Sequence, residues 1–265
     1  MKPCVLVFAG SDPSGGAGIS ADIEAIAAQG AHAMPVITVI TVQDNDRVFA
    51  VHPVEIELIL EQAQTLANKI PIAAIKIGII GSRINAAAIA LWISHFKKQH
   101  PNLPVILDPV LASGHGDALS VDSSVNALEL IAPLIPLATL ITPNLSEAEL
   151  LCPNATTSLE QAQQLMSYGA SSVLIKGGHS LDTNITNHWF SSDQHSSWEW
   201  TRLKGEYHGS GCTLASAIAG QLACGKSMQE SLELAQIFCQ HALEHAYSIS
   251  SGQFIPKRIN YEQKL

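Results

Sequence analysis

Charge is scarce in this chain, and positive charge is scarcer. Charged residues are 14% of the 265, and 14 Lys and Arg stand against 23 Asp and Glu, a formal net charge of −9. So acidic a chain lacks the broad basic surface that holds nucleic acid or an anionic membrane. A local anion site stays open, because backbone N–H groups build one without net positive charge. Cysteines are few as well: Cys4, Cys152, Cys212, Cys224 and Cys239, with no C-x-x-C pair. An odd, unpaired set excludes a disulfide framework and a zinc motif, and it fits a reducing, cytoplasmic setting. His32, His52, His95, His100 and His115 show no metal-ligand spacing. No apolar stretch approaches the ~20 residues of a membrane span. The first apolar run, 4–9, is too short for a signal peptide.

Apolar residues are plentiful at 47%, which excludes a disordered chain. With no linker, low-complexity tract or short repeat, residues 1–265 read as one α/β domain. Short apolar runs at 4–9, 34–40, 74–78, 104–107, 139–142 and 172–176 read as buried strands. Helices are expected from about residue 18 to 29 and over 54–70, 83–99, 146–151, 158–168, 211–224 and 228–247. In the second of these, Ile56, Ile59, Leu60, Ala63, Leu66, Ala67 and Ile70 recur at helical spacing. Residues 188–190 and 197–201 read as the arms of a hairpin, which breaks the rhythm. The alternation predicts a mainly parallel sheet covered on both faces. Ligands of such sheets sit beyond the carboxyl ends of the strands, where Ser11, Asp12, Asp108, Asn144 and Lys176 fall.

Three segments carry chemistry. Ser14-Gly15-Gly16-Ala17-Gly18 lies between a strand and a helix, where glycines admit a ligand close to the backbone; the same cluster also suits a plain tight turn. It does not fit G-x-G-x-x-G, which disfavours a dinucleotide-binding dehydrogenase. His208-Gly209-Ser210-Gly211-Cys212-Thr213 opens a long apolar helix. Its free N–H groups and helix dipole suit a phosphoryl group in flight. Cys212 sits in the first turn, where a thiol pKa is expected to fall, and it suits a base or a holder of a substrate hydroxyl. The other four cysteines read as buried and structural. Asn144 and Glu147, three apart after a strand, suit water around Mg²⁺, although an ordinary helix cap gives the same spacing. Asp108 supplies an acid for metal or substrate, Lys176 a cation for phosphates, and Gln43 an amide for the edge of a heteroaromatic ring. Residues 220–227 match G-x-x-x-x-G-K-S, but the string runs through a helical stripe instead of following a strand. It is therefore set aside as a P-loop.

Taken together, GSDPSGGAGISADIEA, VITVITVQ, IKIGII, LDPV, ITPNLSEAELL, VLIKGGH and HGSGCTLASAIAG resemble the hydroxymethylpyrimidine/phosphomethylpyrimidine kinases of thiamine biosynthesis, in the ribokinase superfamily. The resemblance covers most of residues 4–225. It implies a ribokinase-like three-layer α/β/α sandwich with a mainly parallel sheet and no large lid domain, and usually a homodimer. It implies two transfers from Mg-ATP, to 4-amino-5-hydroxymethyl-2-methylpyrimidine and then to its monophosphate. Ala17, Asp22, Gln43 and Ile79 fall where that family holds the pyrimidine. Gly209, Ser210, Gly211 and Cys212 fall on its anion hole and catalytic cysteine. Lys176, Asn144 and Glu147 fall on ATP-phosphate and Mg²⁺ positions, with Asp108 nearby as a second metal residue. The chain departs from the family at Asp44-Asn45, at Ile79 in place of methionine, and at a flap lacking its lysine around His115. Residues 181–207 and the tail after Ala246 match poorly. A pyridoxal or pyridoxine kinase of vitamin B6 salvage, or a non-catalytic pyrimidine-binding protein on the same fold, are the alternatives.

Overall fold

Strand β1 (Cys4–Ser11) is apolar on both sides, and its period-2 alternation sorts the core. Leu6 and Phe8 face one layer, while Val5, Val7 and Ala9 face the other. The computed structural model describes residues 1–117, 119–122, 125–179 and 184–259. Residues 181–183 and 260–265, within the poorly matching segments, lie outside the described residues.

After β1 come α1 (Gly18–Ala28), β2 (His32–Gln43), β3 (Val48–Pro53), α2 (Ile56–Ala67), β4 (Ile72–Ile77) and α3 (Arg83–Lys97). Then follow β5 (Val105–Leu107), α4 (Ala127–Ile131), β6 (Leu140–Ile141), α5 (Leu145–Leu151), α6 (Ser158–Ser167) and β7 (Ser172–Ile175). The chain continues through β8 (Asn184–Ser191), β9 (His195–Thr201), α7 (Ser210–Ala223) and α8 (Met228–Glu244). The described strands form one sheet in the order β3-β2-β1-β4-β5-β6-β7-β8-β9. From β2 to β7 the pairing is parallel, and β3, β8 and β9 are antiparallel additions at the two edges. One face packs on α2, α3 and α6 through Ile59, Ile89, Ile93 and Leu165. The other packs on α1, α7 and α8 through Ile26, Leu214, Ile218 and Leu232. This is the expected three-layer α/β/α sandwich.

Sequence patterning missed β3. It is an edge strand of mixed exposure that ends in Pro53, so no clean alternation marks it. The hairpin arms are longer than expected, and β8 continues the sheet from β7. The P-loop look-alike is helix as far as Ala223, and Ser227 then caps α8 in a capping box with Glu230. Cys152 and Cys239 are buried as expected, whereas Cys224 is exposed and Cys4 partly so.

Candidate active site

The parallel strands end along one edge, and their next residues line a cleft of about 550 Å³. Ser11 ends β1 and Asp12 follows it, Gln43 ends β2, Ile79 follows β4, Asp108 follows β5, Asn144 follows β6 and Lys176 follows β7. Ala17 of the glycine loop, Glu147 of α5 and Gly209, Ser210, Gly211 and Cys212 of α7 line the same cleft. Eleven expected site residues, scattered from position 17 to 212, thus meet in one place. Asp22 is the exception: it is fully buried beneath the cleft and does not line it.

The glycine loop is folded around Asp12. Its carboxylate accepts hydrogen bonds from the Ser14 N–H at 2.8 Å and the Ala17 N–H at 2.7 Å. The His208 ring lies 2.8 Å from the same carboxylate through Nε2. Burial works against the charge, yet hydrogen bonds from His208, Gln43 and Ser14 hold Asp12 well below the usual carboxylate range. Two glycines are obligatory here. Gly18 turns the chain at φ +57°, and a Cβ there would strike the Gly10 carbonyl. Gly209 caps α7 at φ +77°, and a Cβ there would strike the Gly16 carbonyl. The glycine loop and the start of α7 are therefore in direct backbone contact, and the free N–H groups of α7 open onto the cleft.

Lys76 lies below this point. Alternation along β4 turns Ile75 and Ile77 to one layer and Lys76 to the other, toward α1 and α7. Its ammonium is buried and sits 2.8 Å from Asp22 Oδ1, which also accepts from Ser216 one turn beyond Cys212. Burial opposes the Lys76 charge; Asp22, with Cys212 and Asp108 nearby, outweighs it and pushes the lysine above its usual range. Cys212 corrects an expectation. Burial pushes its thiol up to about 11, against the Lys76 ammonium and a hydrogen bond from the Gly18 backbone. Desolvation of a thiolate outweighs a helix start when the sulfur is enclosed. Asp22, expected at the pyrimidine, is here the buried partner of Lys76. Sequence reasoning missed Lys76, although a lone lysine within I-A-A-I-K-I is a signal, because lysine is rarely buried unless paired.

Farther along the cleft, Lys176 Nζ lies 3.1 Å from Asp108 Oδ1, which also accepts from Thr142. Asp108 Oδ2 is buried without a hydrogen-bond partner. Asn144 and Glu147 form a reciprocal capping box on α5, so the ordinary cap and the cleft position coexist. Burial, with Asp108 nearby, raises Glu147 to about 7 against the pull of Lys176. No cluster of three or more His, Cys, Asp or Glu suited to a metal occurs among the described residues. Mg²⁺ does not need one, since it keeps several waters and takes one or two carboxylates plus substrate phosphates. The orphaned Asp108 oxygen and the Glu147 carboxylate fit that demand. Ala112, Ser113 and Gly114 of the flap close one side of the cleft. Asp117 anchors the flap to Arg47 at 2.6 Å.

The family described as phosphomethylpyrimidine kinase matches residues 12–257. A hydroxymethylpyrimidine/phosphomethylpyrimidine kinase from Rhizobium meliloti (strain 1021) is 37% identical over 259 residues, covering 96% of this chain and 95% of that protein. Among solved structures, a phosphomethylpyrimidine kinase from Clostridium difficile 630 superposes with a TM-score of 0.75 at 32% identity, covering 91% of this chain and 100% of the other. A pyridoxal kinase from Staphylococcus aureus in complex with AMP-PCP and pyridoxal reaches a TM-score of 0.83 at 26% identity, covering 100% and 96%.

Proposed function

The chain belongs to the phosphomethylpyrimidine kinase family, and from that premise we propose a two-step kinase of thiamine biosynthesis. It transfers the γ-phosphoryl group of ATP to 4-amino-5-hydroxymethyl-2-methylpyrimidine and then to the resulting monophosphate. One observation carries this reading. A single cleft joins an end lined by Ala17, Gln43 and Ile79 to an end lined by Lys176, Asn144 and Glu147, and the start of α7 opens onto it.

Phosphoryl transfer asks for positioning and charge neutralisation more than covalent chemistry. Ile79 and the Ala17 backbone flank the ring, and Gln43, oriented by Asp12, meets its edge. The Cys212 thiol holds the hydroxymethyl oxygen in line, and its thiolate form takes the hydroxyl proton. The oxygen forms a bond to the γ-phosphorus as the bond to the β-phosphate oxygen breaks and ADP leaves. The N–H groups of Ser210 and Gly211 and the Lys176 ammonium meet the charge on the transferring group. Ile185, Trp200 and Leu243 give apolar walls for adenine. Asp108 and Glu147 would hold Mg²⁺, which neutralises phosphate charge when bound. Exposed Ile40, Val42 and Phe49 on the β2–β3 edge support a homodimer. No helix among the described residues is long and apolar enough to cross a membrane, and the odd, unpaired cysteine set supports a cytoplasmic location. Residues 1–265 are read as one kinase domain.

Because Glu147 titrates near pH 7, it must lose its proton to take Mg²⁺. Apparent Mg²⁺ affinity in ATP turnover is therefore expected to rise as pH increases through about 7. Glu147→Gln flattens that rise; Mg²⁺ titrations on either side of neutrality check it. The likeness to the pyridoxal kinase favours pyridoxal as the second candidate substrate. ADP release with each alcohol decides between them. A higher kcat/KM for the hydroxymethylpyrimidine supports the reading, and a higher value for pyridoxal reverses it.

A further inference from the structure

The segment after α8 returns to the cleft. Tyr247 pairs with Ile255, and the His208 N–H donates to the Phe254 carbonyl at 2.9 Å. The Asn45 side chain donates to the carbonyls of Ser251 and Gln253. This pinning delivers Arg258 into the interior, where its side chain is fully buried. The guanidinium then spans three elements. Nη2 donates to the Gly16 carbonyl of the glycine loop. Nε donates to Thr213 Oγ1 of α7 at 2.7 Å. Nη1 lies 3.3 Å from the Glu24 carboxylate of α1. Only a planar fork with donors on several sides meets three such partners together, and lysine does not.

The contacts bear on the two backbone segments that meet at Gly209. The Thr213 hydroxyl accepts from Arg258 and donates to the Gly209 carbonyl at 2.8 Å. A trans peptide is planar, so fixing that carbonyl along the helix turns the Ser210 N–H back out of the helix start. The Gly16 carbonyl is held by Arg258, while the N–H on the other side of the same peptide, that of Ala17, is held by Asp12. Both peptides at the loop–helix junction are thus locked from below.

From this arrangement we infer that Arg258 is a positioning residue for phosphoryl transfer, setting the orientation of the α7 N–H groups through Thr213 and of the glycine loop through Gly16. It touches no reacting atom. The inference rests on the kinase reading above.

The test compares wild type, Arg258→Ala and Thr213→Val with Mg-ATP and hydroxymethylpyrimidine, with folding checked by thermal melting. A displaced anion hole is expected to lower kcat by about 10²-fold in Arg258→Ala, with KM for ATP little changed. Millimolar guanidinium ion should restore turnover saturably in Arg258→Ala, because it refills the vacated site. It should not restore Thr213→Val, which loses the hydroxyl relay while keeping Arg258. A merely structural arginine would give lowered stability without saturable rescue. An unchanged kcat in folded Arg258→Ala, or a loss that guanidinium does not relieve, overturns the inference. Should Arg258→Ala fail to fold, a wild-type kcat in Thr213→Val overturns it instead. Absence of phosphorylated product with wild type contradicts the kinase reading itself, and so separates the two failures.

Discussion

Replacing Cys212 by alanine is expected to lower turnover by about 10²–10⁴-fold, the range for losing a positioned proton-transfer group. ATP affinity should stay close to that of wild type, because Lys176 and Asn144, the side chains assigned to the phosphates, are left in place. Burial lifts the thiol to about 11 while Lys76 and the Gly18 N–H pull the other way. The thiolate is therefore a minor species at neutral pH, and its share grows as pH rises. Turnover of wild type should climb with pH over the alkaline range, and the climb should vanish in Cys212→Ala. Cys212→Ser separates the two duties of the side chain: it retains a hydrogen bond to the substrate hydroxyl but offers no thiolate. Intermediate turnover with a flat pH profile is expected for it. Equal turnover in wild type and Cys212→Ala would remove Cys212 from the mechanism.

Lys76→Met is expected to destabilise the fold by about 3–5 kcal/mol, the cost of stranding one member of a buried ion pair. Both side chains are fully buried, and Asp22 Oδ2 already lacks a partner. Removing the ammonium leaves that carboxylate with only the Ser216 hydroxyl at Oδ1. The double variant Lys76→Met/Asp22→Asn removes both charges and should recover most of the loss. Denaturant unfolding of the single and double variants measures this; equal destabilisation in both would show that the pair is not coupled. The pH dependence follows from the direction of the lysine shift. A folded pKa above the unfolded one contributes stability that is intact through neutral pH and is lost only as pH climbs beyond the ordinary lysine range. Lys76→Met should also slow alkylation of Cys212 at a given pH, since a counter-charge for its thiolate is gone.

Much of this arrangement was legible in the chain. Apolar runs such as 4–9 and 172–176 are strands because both faces of a central parallel strand are covered, which leaves no polar face to blur the pattern. The polar residue after each run then falls at the carboxyl edge, and this is why Gln43, Asp108, Asn144 and Lys176 converge. What stayed hidden depends on the third dimension. Asp22 sits in a helix that resembles a substrate-binding segment, yet its face turns down to Lys76 and away from the cleft. A helix start implies an acidic thiol at Cys212 only if the sulfur stays hydrated, and enclosure cannot be read from residue order. Arg258 lies in a tail of irregular backbone with no periodicity to read. Its function comes from a return path set by pairings such as Tyr247 with Ile255.

One cleft is expected to perform both transfers. Mass-resolved product analysis after incubating the purified protein with Mg-ATP and the pyrimidine monophosphate tests it most directly. A pyrimidine diphosphate and an equal yield of ADP are expected. ADP without diphosphate, or a monophosphate returned unchanged while the free alcohol is phosphorylated, would contradict it.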